Sequence, residues 1–246
     1  LLRLIAFLAP DAIPFEMLEQ GAEHVQKAAE LFCEEVGTTA DGKRIREAVA
    51  DLAGYSLITR QDGGMIVVHR MVQEALRSQV PEERRRDWHQ GALRIVNDAA
   101  VGDPADVRTW PVWDRLRPHV AAVIARANEV GIVEPTSSLM NNLGQLLNTK
   151  ALYSEAEPLL RRALVIVEAS FGSEHPKAAK ALSNLAELLW ATNRLGEAEP
   201  LVRRAPDIDE ASFGKDHPKV AIDLNNLATL LQTTNRLEEA EPLLRR

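Results

Sequence analysis

Asparagine returns at a fixed interval in the second half of the chain, and its side chain can bind a peptide. Asn142, Asn184 and Asn226 recur at a step of 42 residues, and each is followed by leucine. A carboxamide has both donors and an acceptor, so a row of carboxamides can hold the backbone of an extended peptide without reading its sequence. The chemistry of these side chains suits binding rather than catalysis.

Other residues capable of chemistry form no recognisable catalytic or metal site. Gly37–Lys43 fits Gly-x-x-x-x-Gly-Lys, but Arg44 stands where a phosphate-binding loop needs a Ser or Thr hydroxyl for Mg²⁺. The preceding residues, 30–36, are charged and favour a helix over a buried strand. The single Cys33 has no histidine at ligand spacing. We predict that the chain is not an enzyme and has no metal or cofactor of its own.

Length and charge limit the classes of function. The chain has 246 residues, 46% of them hydrophobic, which is enough for two small domains. Its formal net charge of −7 argues against bulk attraction to nucleic acid or to an anionic membrane. No segment approaches the roughly 18 apolar residues of a membrane span. We expect a cytoplasmic protein, and because the chain starts in an apolar run and stops within a repeat, we expect it to be a fragment.

The second half of the chain keeps the step of 42 residues throughout. Glu-Ala-Glu-Pro-Leu begins at Glu155, Glu197 and Glu239, and Phe-Gly-x-x-His-Pro begins at Phe171 and Phe213. Within one unit, apolar residues lie at helical spacing on both sides of a break, which predicts two helices joined by a turn. A period of this length is typical of a solenoid whose hairpins cover one another.

These residues resemble a known family. Leu143-Gly144, Ala156, Leu160 and Ala163 match small and large positions of the tetratricopeptide signature, and the 42-residue unit with Phe-Gly-x-x-His-Pro resembles the repeats of kinesin light chain. The resemblance implies a mostly α fold, in which residues 136–246 form a right-handed α-α superhelix. Two units are complete and the third is truncated.

The same resemblance implies a concave groove, lined by the first helix of each hairpin, that binds a protein or peptide. The predicted groove residues are Asn141, Asn142, Gln145, Asn184, Glu187, Trp190, Asn225, Asn226 and Thr229. Trp190 is the best candidate for a binding hot spot, because an aromatic side chain buries a large area at a small entropy cost. Alternatively, the asparagines bond to adjacent helices and hold the stack together, and Trp190 packs in the core.

One residue departs from the repeat pattern. Pro206 stands inside the predicted second helix of the second unit, where the first unit has Leu164. An interior proline removes a backbone hydrogen bond and costs about 3 kcal/mol unless a kink is accommodated. We therefore predict a bend or an early end of this helix near Arg203.

Residues 1–80 follow a different pattern. We predict an apolar helix over Leu1–Leu8, a short helix opened by Ile13-Pro14-Phe15, and then a helix with an apolar face. That face is made by Ile45, Val49 and Leu52. Two strands, Leu57–Arg60 and Met65–Val68, flank a glycine-containing turn and predict a β-hairpin. Helices followed by one hairpin indicate a winged-helix domain.

A winged helix suggests DNA binding, but its charges argue against that function. Residues 1–80 contain 8 Lys and Arg against 12 Asp and Glu. The helix that would read DNA mixes Arg44 and Arg46 with Glu47 and Asp51, which makes a poor surface for phosphates.

The junction after the hairpin resembles another family. Val68-His69-Arg70-Met71-Val72-Gln73, together with Leu1–Pro14 and Tyr55–Ile58, is similar to the winged-helix domain of NB-ARC-type STAND NTPases. The resemblance implies that His69 senses the phosphate of ADP in a parent protein, whose own upstream nucleotide-binding domain would bind ADP or ATP with Mg. Alternatively, His69 is an ordinary surface or core histidine.

We therefore predict three regions: a winged helix over residues 1–80, a helical bridge over 81–135 that caps the repeats, and the repeats over 136–246. Together they favour the sensor half of a STAND-type signalling NTPase. Its repeats would bind a protein or peptide trigger, and its winged helix would hold the nucleotide domain closed. The alternatives are a constitutive peptide-binding scaffold and, less favoured, a DNA-binding regulator. Neither nucleic acid nor membrane is an expected partner.

Overall fold

The computed structural model describes residues 1–10, 12–30 and 42–246 and divides the chain into two compact units, Leu1–Leu139 and Met140–Arg246. Cys33 and most of the Gly37–Lys43 segment lie outside the described residues. Gly42 and Lys43 are described, and they open a helix.

The first unit contains seven complete α-helices among its described residues, and a short 3-10 helix, Val107–Thr109, precedes the last of them. They are α1 Leu2–Ile5, α2 Phe15–Gln20, α3 Ala22–Glu30, α4 Gly42–Gly54, α5 Arg70–Ser78, α6 Glu82–Ala99 and α7 Trp110–Glu129. Ile45 and Val49 of α4 are buried, and Leu52 is half-buried. The apolar face predicted for this helix is therefore confirmed.

A small antiparallel sheet accompanies these helices. Its strands are β1 Ile13–Pro14, β2 Ile58–Gln61 and β3 Met65–Val68, in the order β1-β3-β2. The predicted hairpin is confirmed, with Ile58 opposite Val68. The third strand was not predicted, because Ile13-Pro14 was assigned to the start of α2. Pro14 fits an edge strand, since its missing N–H leaves no donor unpaired there.

The apolar run at the start of the chain is less helical than predicted. Its residues from Leu4 to Ala9 are buried, but only Leu2–Ile5 form an α-helix, so the prediction of a helix up to Leu8 is wrong. Side chains from elsewhere in the unit bind the carbonyls of this segment. Gln73 donates to Ile5 O (3.1 Å) and Ala9 O (3.4 Å), Arg77 to Ala6 O, and Arg126 to Phe7 O (3.0 Å). Buried carbonyls need such partners when no helix supplies them.

The predicted bridge helices, α6 and α7, belong to the first unit. Helix α6 packs on α2 and α3, and α7 packs on α6 and β1. Their apolar stripes are buried as the periodicity predicts, with Trp88 and Leu93 on α6 and Leu116 and Val120 on α7. These two helices thus complete the core that the winged helix begins, and a capping role toward the repeats stays a prediction.

The remaining helices form three hairpins, and the hairpin fold predicted from the repeat is confirmed. Their bounds are α8 Thr136–Thr149 and α9 Tyr153–Phe171, α10 Pro176–Ala191 and α11 Leu195–Phe213, and α12 Pro218–Thr233 and α13 Leu237–Leu244. Gly172 and Gly214 follow α9 and α11 with φ of 95° and 87°, a left-handed region that glycine adopts without steric cost. The second helix of each of the first two hairpins therefore ends at a glycine that recurs with the repeat.

Pro206 does not shorten its helix. Helix α11 runs through Pro206 to Phe213 and has 19 residues, the same length as α9, so the predicted early end near Arg203 is wrong. Pro206 is buried, as is Leu164 at the corresponding position of α9. Packing of the helix faces stabilises most protein helices more than any single backbone hydrogen bond does, which explains why the helix continues.

A close approach between two helices differs in detail between the first two hairpins. In the first, a Cβ added to Gly144 would lie 2.6 Å from Leu160 Cγ and Cδ2. In the second, the corresponding residues are Ala186 and Val202, both buried. A larger residue on the first helix is thus matched by a smaller one on the second, which keeps the same space filled.

Charged side chains join the second helices of successive hairpins. Arg161 bonds Glu157 of its own helix (2.8 Å) and Glu197 of α11 (3.0 Å), and Arg194 bonds the same two glutamates (2.7 and 2.8 Å). The quartet returns one period later, at Glu199, Arg203, Arg236 and Glu239. A single exposed salt bridge contributes little to the free energy of unfolding. A network of four charged side chains that links two hairpins has a larger effect and fixes their register.

We expect Gly144→Ala to lower the free energy of unfolding by about 1–3 kcal/mol, because the new methyl group would overlap Leu160. Adding Leu160→Val creates the residue pair of the second hairpin and should recover part of that loss. Urea denaturation of the wild type, both single variants and the double variant measures the coupling. If the losses of unfolding free energy in the two single variants simply add in the double variant, the side chains at positions 144 and 160 are not matched in size.

Candidate peptide-binding groove

A cavity opens between the first helices of the second and third hairpins. Its volume is about 100 Å³, and its walls come mainly from α10 and α12, with one residue from α11. The lining residues are Ser183, Ala186, Glu187, Trp190, Val202, Asp223 and Asn226. Ala186, Glu187 and Trp190 follow Ser183 by three, four and seven positions, which places all four on one face of α10.

Three of the predicted groove residues meet at this cavity. They are Glu187 and Trp190 of α10 and Asn226 of α12. Trp190 is half-buried, so part of its ring stays accessible within a polar surrounding. The structure thus brings the predicted hot-spot residue and one member of the asparagine row to the same opening.

The asparagine row is less uniform than its spacing suggests. Asn142 accepts a hydrogen bond from Lys180 Nζ of the next hairpin (3.2 Å). Asn184 is only 8% exposed, and its Nδ2 has no partner among the described residues. Asn226 lines the cavity. One contact therefore matches the alternative of holding the stack together, and the ligand-binding role of the row stays a prediction.

The other predicted groove residues do not line this cavity. Asn141 is buried at 5% exposure, which places it beneath the surface that a ligand would meet. Gln145 is half-buried on α8, and Asn225 is exposed on α12. The hydroxyl of Thr229 donates to the backbone carbonyl of Asn225 (2.7 Å).

Sequence reasoning missed the buried acid of the cavity, Asp223. Asp223 is 6% exposed; its Oδ1 accepts a hydrogen bond from the Ser183 hydroxyl (3.1 Å), and its Oδ2 has no partner among the described residues. Alanine, Ala181, stands at the corresponding position of the second hairpin, and Leu139 at that of the first. Aligning the repeats would have shown a charged residue at a position that is otherwise apolar.

A second buried acid lies close to Asp223. Asp209 of α11 is 5% exposed and replaces Val167 of α9. Burial raises the pKa of Asp209, against the opposing charges of Lys219 and His217. Burial also raises the pKa of Asp223 to about 6; the hydrogen bond from Ser183 opposes this increase and the charge of Asp209 adds to it. Burial thus disfavours ionisation of both carboxyl groups, and of the two only Asp223 lines the cavity, together with the acidic Glu187.

His69 lies in the first unit, at the end of β3, and caps α5. Its ring is exposed, and its Nδ1 accepts a hydrogen bond from the backbone N–H of Met71 (3.2 Å). In the neutral ring the proton is then on Nε2, which can donate to an acceptor such as a phosphate oxygen. His175 and His217 cap α10 and α12 in the same way. Capping thus accounts for the geometry of His69, and phosphate sensing stays a prediction.

The surface of the winged helix offers few uncompensated cations on α4. Arg46 pairs with Glu19 of α2, and Lys43 pairs with Glu47 (3.9 Å). These pairs weaken the attraction that a phosphate backbone requires.

Two absences concern the residues that the structure describes, 1–10, 12–30 and 42–246. No helix there is long and apolar enough to cross a membrane. No group of three or more His, Cys, Asp or Glu side chains there could hold a metal ion.

Comparison with known proteins matches the two halves of the chain separately. A tetratricopeptide repeat model matches residues 135–211 and 197–246, and a model described as a domain of unknown function (DUF7779) matches residues 1–85. No curated protein matches the chain significantly.

Among solved structures, the chain is similar to a putative kinesin light chain from Podosopora anserina with nearly identical TPR-like repeats. The identity is 15%, the match covers 94% of this chain and 93% of that chain, and the TM-score is 0.52. It is also similar to BtubC (BKLC) from P. vanneervenii, with 15% identity, 94% and 87% coverage, and a TM-score of 0.53. At this level of identity the likeness concerns the fold alone.

The stacked hairpins define a helical-repeat protein, and repeats of this type suggest protein–protein interaction. The repeats of residues 135–246 are tetratricopeptide repeats with the superhelical fold, and their structural neighbours are kinesin-light-chain-like. The small sheet near the start of the chain is consistent with a winged-helix-like region.

We expect Asp223→Asn to raise the free energy of unfolding by about 1–3 kcal/mol at about pH 8. Because the pKa of Asp223 is raised to about 6, the folded state binds a proton more readily than the unfolded state. Wild-type stability should therefore fall as the pH rises from about 4 through about 6, and the advantage of the variant should appear over that range.

Urea denaturation at several pH values measures this dependence. Asp207→Asn is the matched control, because Asp207 is an exposed aspartate on α11. Equal pH dependence of the two variants would show that burial of Asp223 does not destabilise the fold.

Proposed function

We propose that this chain is the sensor half of a STAND-type signalling NTPase. In this proposal the repeats bind a protein or peptide trigger, and the winged-helix domain holds an upstream nucleotide-binding domain closed around ADP. The chain itself performs no hydrolysis. The observation that carries the proposal is the cavity between α10 and α12, where Trp190, Asn226 and Asp223 meet.

The shape and lining of this cavity support peptide binding. Trp190 provides an aromatic wall that can bury a side chain, and Asn226 provides donors and an acceptor for a peptide backbone. Tetratricopeptide repeats generally bind protein or peptide partners. A ligand lying across α10 and α12 would contact two hairpins at once.

The placement of His69 supports the nucleotide half of the proposal. Because Nδ1 is engaged by the N–H of Met71, the exposed ring can offer Nε2–H to a phosphate oxygen. His69 is the one residue that this chain is proposed to supply to an ADP site, by its resemblance to the NB-ARC family. Bound ADP would supply the negative charge that stabilises the closed state.

The two halves would be linked by a shift between closed and open states. A trigger can shift that equilibrium only by the difference between its affinities for the two states. A trigger that binds the repeats more tightly in the open state would therefore favour release of ADP.

A constitutive peptide-binding scaffold is the second candidate. The similarity of the fold to a putative kinesin light chain favours it. The two candidates differ in one measurable property: only the sensor couples ligand binding to nucleotide exchange.

The decisive comparison uses the protein as encoded, with whatever residues precede Leu1, and measures release of labelled ADP. We expect His69→Ala to speed release roughly tenfold or more, because one hydrogen bond to a charged group contributes about 1.5–3 kcal/mol. His175→Ala is the matched control, since it removes the same type of cap at α10.

Equal rates of ADP release from the two variants would show that His69 acts only as a helix cap and does not bind ADP. A protein that retains no ADP would overturn the nucleotide half of the proposal and leave the scaffold.

A further inference from the structure

We propose that the cavity between α10 and α12 binds the cationic side chain of a ligand peptide, lysine or arginine, with Asp223 as its counter-ion. This inference rests on the proposed peptide-binding function of the groove and adds the chemistry that the groove recognises.

The carboxylate of Asp223 lacks a cationic partner. It is 6% exposed, it lines the cavity, and its Oδ2 has no hydrogen-bond partner among the described residues. A buried charge is strongly unfavourable unless it is paired. An incoming ammonium or guanidinium group would supply the missing partner.

The charged groups around Asp223 do not supply that partner from within the fold. Helix α11 contributes Asp209, a second buried acid, and α10 contributes Glu187 at the same cavity. On α12 itself, Lys219 favours ionisation of Asp223, but its Nζ lies over the ring of Phe213, 4.6 Å from the ring centre. No ion pair joins Asp223 to any of the described residues.

The other walls of the cavity fit the rest of such a side chain. Ala186 and Val202 are apolar and Trp190 is aromatic. Lysine and arginine have aliphatic stems that pack along apolar surfaces while the charged head remains with polar groups. Trp190 adds a ring that can attract a cation by its negative face.

The repeat pattern indicates that the acid is not required for packing. Ala181 and Leu139 hold the corresponding position in the other hairpins, and Val167 corresponds to Asp209. Two carboxylates at one interface destabilise it, whereas an apolar pair would not. Residues that reduce stability at a solvent-accessible cavity are typical of functional sites.

The negative cavity also selects against other ligands. A peptide carboxylate or phosphate placed here would meet Asp223 and Glu187 together, and like charges brought together across an interface cost several kcal/mol.

The inference is tested with a phage-displayed library of random short peptides selected on the full chain. We expect the enriched peptides to share one basic residue at a fixed position. Replacing that residue by norleucine or citrulline in a synthetic peptide should weaken binding at least about tenfold, and Asp223→Asn should do the same. Asp207→Asn, an exposed aspartate on α11, should leave the affinity unchanged.

Calorimetry adds a readout that a purely structural role would not change. At about pH 6, binding of the basic peptide should release protons, because the bound cation favours the ionised form of Asp223. Titrations in buffers of different ionisation enthalpy measure this release, which should be absent in Asp223→Asn.

The possible results distinguish failure of the cation site from failure of peptide binding by the groove. Enriched peptides without a shared basic residue, or equal affinities for Asp223→Asn and Asp207→Asn, would overturn the cation site and leave the groove intact. Failure to enrich any peptide would overturn peptide binding by the groove, and the cation site with it. Asp223→Asn should remain folded, since it removes a buried charge.

Discussion

Each hairpin of the second unit leaves an apolar face that only the neighbouring hairpin can bury. A constant repeat length follows from this constraint, because every hairpin must present its apolar face to its neighbour in the same way. Local features then keep the stack in register. Gly144 and Ala186 admit close neighbours of complementary size, glycines end the second helices, and the Arg–Glu quartets join those helices on the outside. The burial of apolar surface supplies the stability, and these contacts supply the geometry.

Much of the fold could be predicted because its signals are periodic. The hairpins, the end of α9 at Gly172 and the start of α10 at Pro176 follow directly from the repeat, and the β-hairpin follows from its glycine-containing turn. The errors arose where a distant partner outweighs local preference. Helix α11 continues through Pro206 because packing stabilises it, and α1 ends at Ile5 because Gln73, Arg77 and Arg126 bind the next carbonyls. No local pattern contains those partners.

The candidate site was predicted only in part, for a similar reason. Helical spacing placed Glu187, Trp190 and Asn226 on first helices, and all three line the cavity. The same spacing grouped Asn141 and Asn184 with them, although both are buried, because a period cannot distinguish a groove position from one that is turned slightly inward. Asp223 was not predicted because the groove residues were chosen from features that the repeats share. Asp223 instead differs from Ala181 and Leu139, the residues at the corresponding positions.

The position of Asp223 has a consequence for how the array opens. In a stack where each hairpin contacts only its neighbours, cooperativity is passed from one interface to the next, and the weakest interface divides the array into separately unfolding segments. The interface between the second and third hairpins contains two buried acids, whereas Val167 and Ala181 provide apolar contact at the corresponding positions of the preceding one. We therefore expect amide hydrogens of α12 and α13 to exchange with solvent through partial opening, ahead of those in α9 and α10. A ligand spanning α10 and α12 would join the two segments into one cooperative unit.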